Sequence, residues 1–557
     1  MTTRETLSFS HLRSRAALDT LYAYCLTLVA FAVLTFGQPA YFADLAPIAA
    51  LMGYALFFLQ TKDLAPRMRF WCGFSFFSCI QAVQLWWFTS HPFHYIWAVY
   101  FTLCALMGLQ FGLLTLFASR KTLSTPLGCF FLAGLWTLLE WSRLFWFSGF
   151  YFNLAGLYLT AQTVTLQMAS LIGTLGLSFW TILTNCFVAY AWIHRPQRKA
   201  AILALAIAIT PFLFGAIQLN HLLDRQEAYD EENPPLHTVI VHSKKVPDEM
   251  LVSLPKTTSP LERAFERWQE ILYALAPLRG EKYDFILLPE VIVPFSSTSL
   301  VYPKSLLDAI FLDLFNTPLT TTSDDYVCSE DISRALTGIF GSPLIVGLEG
   351  TQASSYDPKQ KFFNSAFCFT GENYPSLRYD KQILVPMGEY IPFSWAKAIA
   401  MKYGIFDSFT PGTTSKVFCL GPHRISPSIC YEETFPSIMR KSGALGVTAF
   451  VNLTDDYWFP DSKLGIQHFE HARARTVENG TPLLRSCNYG ISGAIDSLGR
   501  TAIAKEASPS MNAFIATVSS FHYKTLYSII GDAPLLILSF ALCLFFLAKK
   551  PKSYYLK

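Results

Sequence analysis

The chain is short of charge. Only 15% of its 557 residues are Asp, Glu, Lys or Arg, whereas an average soluble protein carries about 25%. The formal net charge of +3 is too small to indicate a nucleic-acid partner, and the sequence has neither a basic stripe nor a Gly-rich phosphate loop. The deficit lies in residues 17–219, whereas 222–524 have the composition of a globular domain, so more than one unit is expected.

Metal-binding and disulfide patterns are also missing. The 12 cysteines show neither the spacing of a zinc site nor that of a dense disulfide framework. His91 and His94 have a metal-like spacing, but no third ligand lies near them in the sequence. We therefore expect no metal and no cofactor.

Long apolar runs dominate the first part of the chain. A helix needs about 20 apolar residues to cross a bilayer. Seven such runs precede the polar domain and an eighth follows it; they cover residues 17–37, 45–60, 70–88, 95–119, 126–146, 171–193, 200–219 and 527–548. The sequence thus predicts an eight-span helical bundle, with seven helices in 1–221, a domain in 222–524, and the last helix and tail in 525–557.

Basic residues of the short loops lie on one side of the predicted bundle. The loops 38–44, 89–94 and 147–170 contain no Lys or Arg. The opposite loops and the two termini contain Arg4, Arg13, Arg15, Lys62, Arg67, Arg69, Arg120, Lys121, Arg195, Arg198, Lys199, Lys549, Lys550, Lys552 and Lys557. Because basic loops stay in the cytoplasm, both termini are predicted to be cytoplasmic and the domain to lie outside.

Two charges fall inside a predicted span. Glu140 and Arg143, in LLEWSRLFW, are three residues apart and therefore share a helix face. Charges at this depth are costly and often functional. The pair either satisfies itself at the outer end of the helix, or contacts a lipid headgroup or the mouth of a site.

The polar domain alternates short β-rich runs with helical patterns, which is typical of a layered α/β domain. The helical patterns are SPLERAFERWQEILYALAPL and IQHFEHARARTVENG. The predicted strands are HTVIVHS, YDFILLPE, PLIVGLEG, NSAFCFT, SKVFCLG, ISPSICYE, VTAFVNLT and PLLRSCN.

Three segments of the domain carry residues suited to thiol chemistry. Glu290 follows the strand in FILLPEVIVPF, where α/β sheets often place functional groups. Lys381 and Glu389 flank a Pro-Met-Gly turn in RYDKQILVPMGEYIPF, and Cys430 lies in ISPSICYEETFP. Each has an ordinary structural explanation when taken alone. Together they supply a base, a cation for an oxyanion and a thiol nucleophile.

The order Glu290, Lys381, Cys430 with these flanking words resembles the nitrilase (carbon–nitrogen hydrolase) superfamily. With seven spans before the domain and one after it, the whole chain resembles the apolipoprotein N-acyltransferase family. The words that carry this resemblance are LVPMGEYIPF, SICYE, DDYWFPDS, QHFEHARARTVENGTPLLRSCNYGISGAID and LLEWSR.

The resemblance implies a fold, a location and a reaction. The domain is expected to be an α-β-β-α sandwich on the periplasmic side of a multi-pass protein of the bacterial inner membrane. An acyl chain would pass from a phospholipid, through a thioester on Cys430, to the α-amino group of the diacylglyceryl-cysteine of a lipoprotein. Both substrates lie in the bilayer, and the enzyme is expected to be a monomer.

The resemblance also implies residue roles. Glu290 would be the base, Lys381 the oxyanion cation and Cys430 the nucleophile. Glu389 would orient Lys381 or the base, with a structural ion pair as its alternative. Tyr431 and Glu432 are expected in the pocket beside the nucleophile, or could instead orient the strand end. Arg485 and Asn488 are expected to support the same pocket. Trp458 is a further candidate from the DDYWFPDS word.

The sequence departs from the family pattern in three places. Asp455-Asp456-Tyr457-Trp458-Phe459-Pro460-Asp461 stands where the family often has Asn-Asp-Ala-Trp-Phe-Gly-Asp. The segment VIVHSKKVPDEM lacks the Gln and Trp that tend to follow the first domain strand. Residues 291–341 are long and rich in Ser and Thr, which predicts an insertion.

Residues 391–410 contain aromatic side chains, among them Trp395 and Phe406, of the kind that favour the membrane interface. They are interpreted either as a mobile lid that dips into lipid or as ordinary core. Two other activities fit the triad: a membrane-anchored amidase that hydrolyses a small amide, and acyl transfer to a non-protein acceptor. A transporter with an inactive outer domain is disfavoured by the few ionisable residues inside the spans.

Overall fold

The fold is taken from a computed structural model. It describes residues 21–243, 259–321, 323–352, 360–371, 374–391, 409–506 and 508–549. The predicted lid residues Trp395 and Phe406 lie outside these ranges, as does most of the departure in VIVHSKKVPDEM.

Helices occupy all eight predicted apolar positions. They are α1 (Leu21–Phe36), α2 (Pro39–Thr61), α3 (Pro66–Gln84), α4 (Ile96–Phe117), α5 (Pro126–Ser142), α6 (Ala169–Ile193), α7 (Arg198–Glu232) and, after the domain, α13 (Ala533–Ala548). Within the described ranges, four of them, α2, α4, α6 and α7, are long and apolar enough to cross a bilayer. The total of eight spans stays a prediction.

Helix α6 lies at the centre of the bundle. It packs against α2, α5 and α7 on its length and reaches the polar domain at its outer end. Helix α13 packs against α5, where Gly134 brings the two backbones together because a Cβ there would lie 3.2 Å from the Cα of Ser539. The C-terminal helix is therefore an integral part of the bundle.

Helix α7 is longer than its apolar run. The sequence predicts a linker at 228–237, but α7 continues to Glu232 and strand β1 begins at Leu236. Its polar end packs on the domain through Leu222, which shares a buried cluster with Leu498 and Phe521. The connection is thus a continuous helix rather than a loop.

The polar domain contains two six-stranded sheets. The strands are β1 (Leu236–His242), β2 (Phe285–Leu287), β5 (Leu344–Gln352), β6 (Lys361–Phe369), β7 (Leu377–Asp380), β8 (Phe418–Leu420), β9 (His423–Ile429), β10 (Ala449–Asp455), β11 (Leu483–Asn488), β12 (Ile491–Ile495), β13 (Thr501–Glu506) and β14 (Asn512–Val518). The first sheet has the order β14-β1-β2-β5-β6-β7 and the second the order β13-β12-β11-β10-β9-β8. A small hairpin is formed by β3 (Tyr302–Pro303) and β4 (Tyr326–Val327).

The two sheets face each other across an apolar core that includes Ile240, Leu287, Val451 and Leu453. Helices cover the two outer faces: α8 (Pro260–Leu275), α9 (Lys304–Phe315) and α10 (Ser329–Phe340) on the first sheet, α11 (Pro436–Gly443) and α12 (Leu464–Asn479) on the second. This is the α-β-β-α sandwich that the sequence predicts. Every strand predicted from a β-rich run is present.

The stretch 291–341 forms more than a surface loop. It contains the β3–β4 hairpin, α9 and α10. Phe311 of α9 and Leu336 of α10 are fully buried in the same cluster as Trp268 of α8. Part of the segment therefore completes the outer helical layer, whereas its role as an insertion stays a prediction.

Candidate active site

The three candidate catalytic residues lie at one edge of the sandwich. Glu290 follows β2, Lys381 follows β7 directly, and Cys430 follows β9 directly. Strands β1, β2 and β5 run parallel, as do β9, β10 and β11. The carboxyl ends of such strands meet at one edge, so the topology gathers residues that are far apart in sequence.

Lys381 joins two carboxylates. Its Nζ lies 3.0 Å from Glu290 Oε1 and 2.8 Å from Glu389 Oε1. All three side chains are shielded, and Lys381 is only 1% exposed. Glu389 is therefore in contact with Lys381, which fits both its predicted orienting role and its alternative as a structural ion pair, and its second oxygen accepts from the backbone N–H of Val385 at 2.8 Å.

Asn364, on β6, is a site residue that sequence reasoning missed. Its Nδ2 donates to Glu290 Oε1 at 2.7 Å and to Glu389 Oε1 at 2.8 Å. Its backbone carbonyl oxygen accepts from the backbone N–H of Lys381 at 2.9 Å. The one available signal is an amide at the start of the strand word NSAFCFT. The ammonium group of Lys381 and the amide of Asn364 thus contact the same two carboxylate oxygens, so the four groups form an approximate square.

The electrostatics of this square suit a base beside a cation. Burial raises the pKa of Glu290, an effect that Lys381 opposes and Glu389 reinforces. Burial alone would lower the pKa of Lys381, but Glu290, Glu389 and Cys430 outweigh it and raise that pKa well above its usual range. Lys381 therefore carries a positive charge, and Glu290 is a stronger base than a carboxylate in water.

Cys430 opens a tight helical turn that follows β9. Its φ of +55° is in the left-handed region, which costs a residue with a side chain roughly 1–2 kcal/mol. The Nδ2 of Asn452 donates to its carbonyl oxygen at 3.0 Å. The side chain is partly exposed. Burial and the negative charge of Glu290 raise the pKa of the Cys430 thiol well above its usual range, against the pull of Lys381, so the resting group is a thiol that needs a base.

Glu432 connects the Cys430 turn to the segment that follows Lys381. Its Oε1 accepts from the backbone N–H groups of Gln382 and Ile383 at 2.6 and 3.1 Å. Its Oε2 accepts from the N–H of Ile429 at 2.8 Å and from the hydroxyl of Tyr379 at 2.9 Å. The side chain is fully buried, so it orients the strand ends.

Tyr431 makes the same connection by a second route. Its hydroxyl donates to the carbonyl oxygen of Leu384 at 2.9 Å. Its ring lies beside the ammonium group, with 5.9 Å between Lys381 Nζ and the ring centroid. The aromatic ring thereby stays next to both Lys381 and the nucleophile turn.

The site edge is docked onto the membrane helices. Gln467 of α12 accepts from Trp87 Nε1 at 3.0 Å and donates to the carbonyl oxygen of Gln84 at 2.8 Å. Ser148, in the loop after α5, donates to the hydroxyl of Tyr390 at 2.7 Å, one residue beyond Glu389. The candidate site is thus held against the helical bundle rather than carried on a tether.

Two family models match the chain. The model of the apolipoprotein N-acyltransferase N-terminal domain matches residues 30–187, and the carbon-nitrogen hydrolase model matches residues 251–507. The apolipoprotein N-acyltransferase of Chlamydia pneumoniae is 28% identical over 535 residues, with 92% of this chain and 95% of that protein covered. That of Chlamydia caviae is 29% identical over 548 residues, with the same two coverages.

The chain belongs to the apolipoprotein N-acyltransferase family. It is an acyltransferase whose polar domain has the carbon–nitrogen hydrolase fold. A solved CN-hydrolase superfamily protein from Xanthomonas campestris is also similar, at 15% identity and a TM-score of 0.34, over 57% of this chain and 98% of that one.

In this acyltransferase, Asp455 stands where the family often has Asn. The side chain lies at the end of β10, and its Oδ1 accepts from the backbone N–H of Tyr457 at 2.8 Å. Burial, with smaller contributions from Glu290 and Asp456, raises the pKa of Asp455 well above its usual range. The raised pKa favours the neutral carboxyl, which has nearly the shape of the Asn side chain.

Arg485, Asn488 and Trp458 all lie on this side of the domain. Asn488 donates to the carbonyl oxygen of Glu290 at 3.3 Å. Arg485 is fully buried and pairs with Glu433 behind the Cys430 turn, at 3.1 Å. Trp458 stacks on His91 of the membrane part, with ring centroids 5.9 Å apart. Trp458 therefore contributes to docking, and Asn488 and Arg485 flank the candidate triad.

Glu140 and Arg143 are both fully buried and do not pair with each other. Glu140 Oε1 accepts from the backbone N–H of Ala155 at 2.8 Å. Arg143 Nε donates to Gln110 Oε1 at 2.8 Å, and its Nη1 approaches the carbonyl oxygen of Phe152 at 3.3 Å. The two charges thus anchor the loop after α5 in place of the mutual pair that the sequence suggested, whereas contact with a lipid headgroup or with the mouth of a site stays a prediction.

Among the described residues, no group of three or more His, Cys, Asp or Glu side chains is arranged to hold a metal ion. His91 Nδ1 instead accepts from the backbone N–H of Phe93 at 3.1 Å.

Proposed function

We propose that this protein moves an acyl chain from a phospholipid, through a thioester on Cys430, to the α-amino group of a lipoprotein's diacylglyceryl-cysteine. The observation that carries the proposal is the contact of Glu290 with Lys381 at the strand edge that also bears Cys430, in a domain docked on membrane helices. The names of the relatives support an apolipoprotein as the acceptor.

In the first half-reaction, Glu290 takes the proton of the Cys430 thiol and the thiolate attacks an ester carbonyl of the phospholipid. The ammonium group of Lys381 and a nearby backbone N–H stabilise the oxyanion. The bond to the glycerol oxygen then breaks, and Glu290 returns the proton to that oxygen. A lysophospholipid leaves, and the acyl chain remains on sulfur.

In the second half-reaction, the α-amino group of the lipoprotein attacks the thioester. Glu290 now accepts a proton from the amine, and the thiol of Cys430 is regenerated as the carbon–sulfur bond breaks. A thioester suits this step because it reacts with amines more readily than the starting oxygen ester does. The two half-reactions make the cycle a ping-pong reaction.

The proposed setting is the inner membrane of a bacterium. Eight spans, cytoplasmic termini and a periplasmic domain are supported by the one-sided distribution of Lys and Arg in the loops. Phospholipid and lipoprotein would then both reach the site from the outer leaflet. All proposed catalytic groups come from one chain, which supports a monomer as the active form.

The proposal is tested with a diacylglyceryl lipopeptide and a phospholipid that carries a labelled acyl chain. Purified wild-type protein is expected to form an N-acylated lipopeptide, and Cys430→Ser none. Label released as free fatty acid, with or without lipopeptide, would contradict acyl transfer and favour a hydrolase. Hydrolysis of a small amide in place of both reactions would favour the membrane-anchored amidase.

A further inference from the structure

The turn that begins at Cys430 contains two glutamates that point in different directions. Glu432 binds the segment after Lys381, whereas Glu433 points into the second sheet's helical layer. Glu433 is fully buried, and the proposed mechanism does not use it. Its Oε1 lies at ion-pair distance, 3.1 Å, from both Arg485 Nε and His468 Nε2, although neither N–H is aligned for a hydrogen bond.

Arg485 and His468 also contact a second carboxylate, that of Asp456. His468 Nδ1 lies 2.9 Å from Asp456 Oδ1, and Arg485 Nη2 lies 3.3 Å from Asp456 Oδ2. The four side chains are at most 3% exposed. Burial alone would raise the pKa of Asp456, but His468 and Arg485 outweigh it and lower that pKa to about 2.

These four residues, Glu433, Asp456, His468 and Arg485, form a buried polar cluster. They come from the nucleophile turn, the end of β10, α12 and β11 respectively. The cluster therefore joins the turn to the helix that docks on the bundle, since the neighbouring Gln467 binds Trp87 and Gln84.

The conformation of Cys430 explains why such a connection matters. A positive φ at a residue with a side chain persists only where the surroundings determine it. Glu432 holds the turn from the side of Lys381, and Glu433 holds it from the side of α12. Loss of the contacts that Glu433 makes with Arg485 and His468 would let the sulfur of Cys430 move relative to Glu290 and Lys381. A displacement of about 1 Å can reduce a rate by as much as about 100-fold.

We infer that Glu433 is a positioning residue: through Arg485 and His468 it fixes the Cys430 turn relative to α12 and to the membrane helices. The inference rests on the proposed function, because it concerns the geometry of the same nucleophile. It also makes a claim about Cys430 that can be measured without any lipid.

The first variant is Glu433→Gln, which keeps the size of the side chain and leaves Arg485 paired with Asp456. Thioester formation is expected to slow by about tenfold or more, with KM for phospholipid and Tm little changed. The matched control is Glu478→Gln on α12, the helix that carries His468. Glu478 is equally buried and lies 2.9 Å from Arg475, but it accepts from Thr174 of α6 at 2.6 Å rather than holding the nucleophile turn.

A pair of His468 variants separates positioning from general loss of packing. His468→Gln keeps an amide donor within reach of Glu433, whereas His468→Asn is too short to reach it. The glutamine variant is expected to retain most of the acylation rate and the asparagine variant to fall to the rate of Glu433→Gln. This comparison remains informative if Glu433→Gln folds poorly.

Alkylation of Cys430 by iodoacetamide, quantified on its peptide by mass spectrometry, is expected to rank the variants in the same order. Wild-type rates for Glu433→Gln in both assays would overturn the inference, as would equal losses in Glu478→Gln or in the two His468 variants. A wild-type protein that is alkylated at Cys430 but forms no thioester would refute the proposed function, while the alkylation ranking still decides the role of Glu433.

Discussion

At the scale of single side chains, the candidate site places two carboxylates, an ammonium and an amide at hydrogen-bonding distance. Lys381 and Asn364 each contact both Glu290 and Glu389. Such a buried charge group is stable only when every polar atom is well partnered, and here the pairing also sets the basicity of Glu290. The same residues therefore determine local structure and reactivity.

Replacement of Asn364 by Asp is expected to impair the base. The change removes two N–H donors and adds a carboxyl beside Glu290 and Glu389, which raises the pKa of Glu290 further. Because Glu290 must be deprotonated to accept a proton, the low-pH limb of the rate profile should move to higher pH, with about tenfold less activity at neutral pH.

The control is Asn316→Asp, at the left-handed end of α9, which makes the same chemical change on the far helical layer. The two variants are compared by the pH dependence of lipopeptide acylation. An unshifted profile in Asn364→Asp would contradict the role assigned to this amide.

Asp455→Asn is expected to stabilise the protein at neutral pH. The pKa of Asp455 is raised in the folded state, so folding must take up a proton whenever the unfolded carboxyl, with a pKa of about 4, is ionised. Asn removes that cost. The gain in Tm should be small near pH 4 and should grow as the pH rises towards 7.

Thermal unfolding in detergent, followed at several pH values, measures this gain, and acylation at neutral pH should remain within about twofold of wild type. A lower Tm at neutral pH in Asp455→Asn would show that the ionised form of Asp455 is the one that the fold uses.

At the scale of secondary-structure elements, α12 packs on the second sheet and also binds the membrane helices. One face covers the second sheet through Phe469 and Ala472, and its first turn binds the membrane helices through Gln467. The outer end of α6 meets the same helix at Glu478. A buried helix with polar contacts at both ends fixes the rotation of the domain on the bundle.

Trp87→Phe is expected to weaken this docking with little change in packing, because it removes the N–H that Gln467 accepts. The loss of a buried hydrogen bond should cost about 1 kcal/mol and lower Tm by a few degrees. Trp86→Phe is the matched control, since Trp86 is 60% exposed. Equal Tm values for the two variants would argue against the Gln467 contact as a docking element.

Much of the secondary structure could be predicted from the sequence because it depends on local patterns, whereas the candidate triad comes from a family resemblance and stays a prediction. β-rich words mark the central strands, and strand ends mark Glu290 and Cys430. Asn364, Glu433 and His468 could not be found in this way, since their partners lie on other elements and ordinary structural roles fit them equally well. Strands β7, β12, β13 and β14 match none of the predicted β-rich runs. Most side chains of β13 are exposed, which gives no apolar alternation, and α7 was cut short because its polar end lacks a hydrophobic run.

At the scale of the whole molecule, the carboxyl edge of the sandwich faces the helical bundle. Polar contacts to Trp87, Ser148 and Thr174 join the domain to three different parts of the membrane region. A site held against the membrane region in this way fits the proposed substrates, which arrive within the bilayer.

The orientation can be tested with cysteines. Cys419 is exposed on β8, so a membrane-impermeant maleimide added to intact spheroplasts is expected to label it. A cysteine placed at Lys121, in a basic loop, should react only after permeabilisation. Cys419→Ser removes the first signal and serves as its control. Labelling of the Lys121→Cys site before that of Cys419 would invert the proposed topology.

The thioester on Cys430 is the central claim, and intact-protein mass spectrometry tests it most directly. Protein incubated with a phospholipid of defined acyl chain, without lipopeptide, is expected to gain the mass of that acyl group. The gain should map to the Cys430 peptide, be removed by hydroxylamine and be absent from Cys430→Ser. Lipopeptide acylation by a wild-type protein that never gains this mass, or an acyl adduct that persists in Cys430→Ser, would contradict the account.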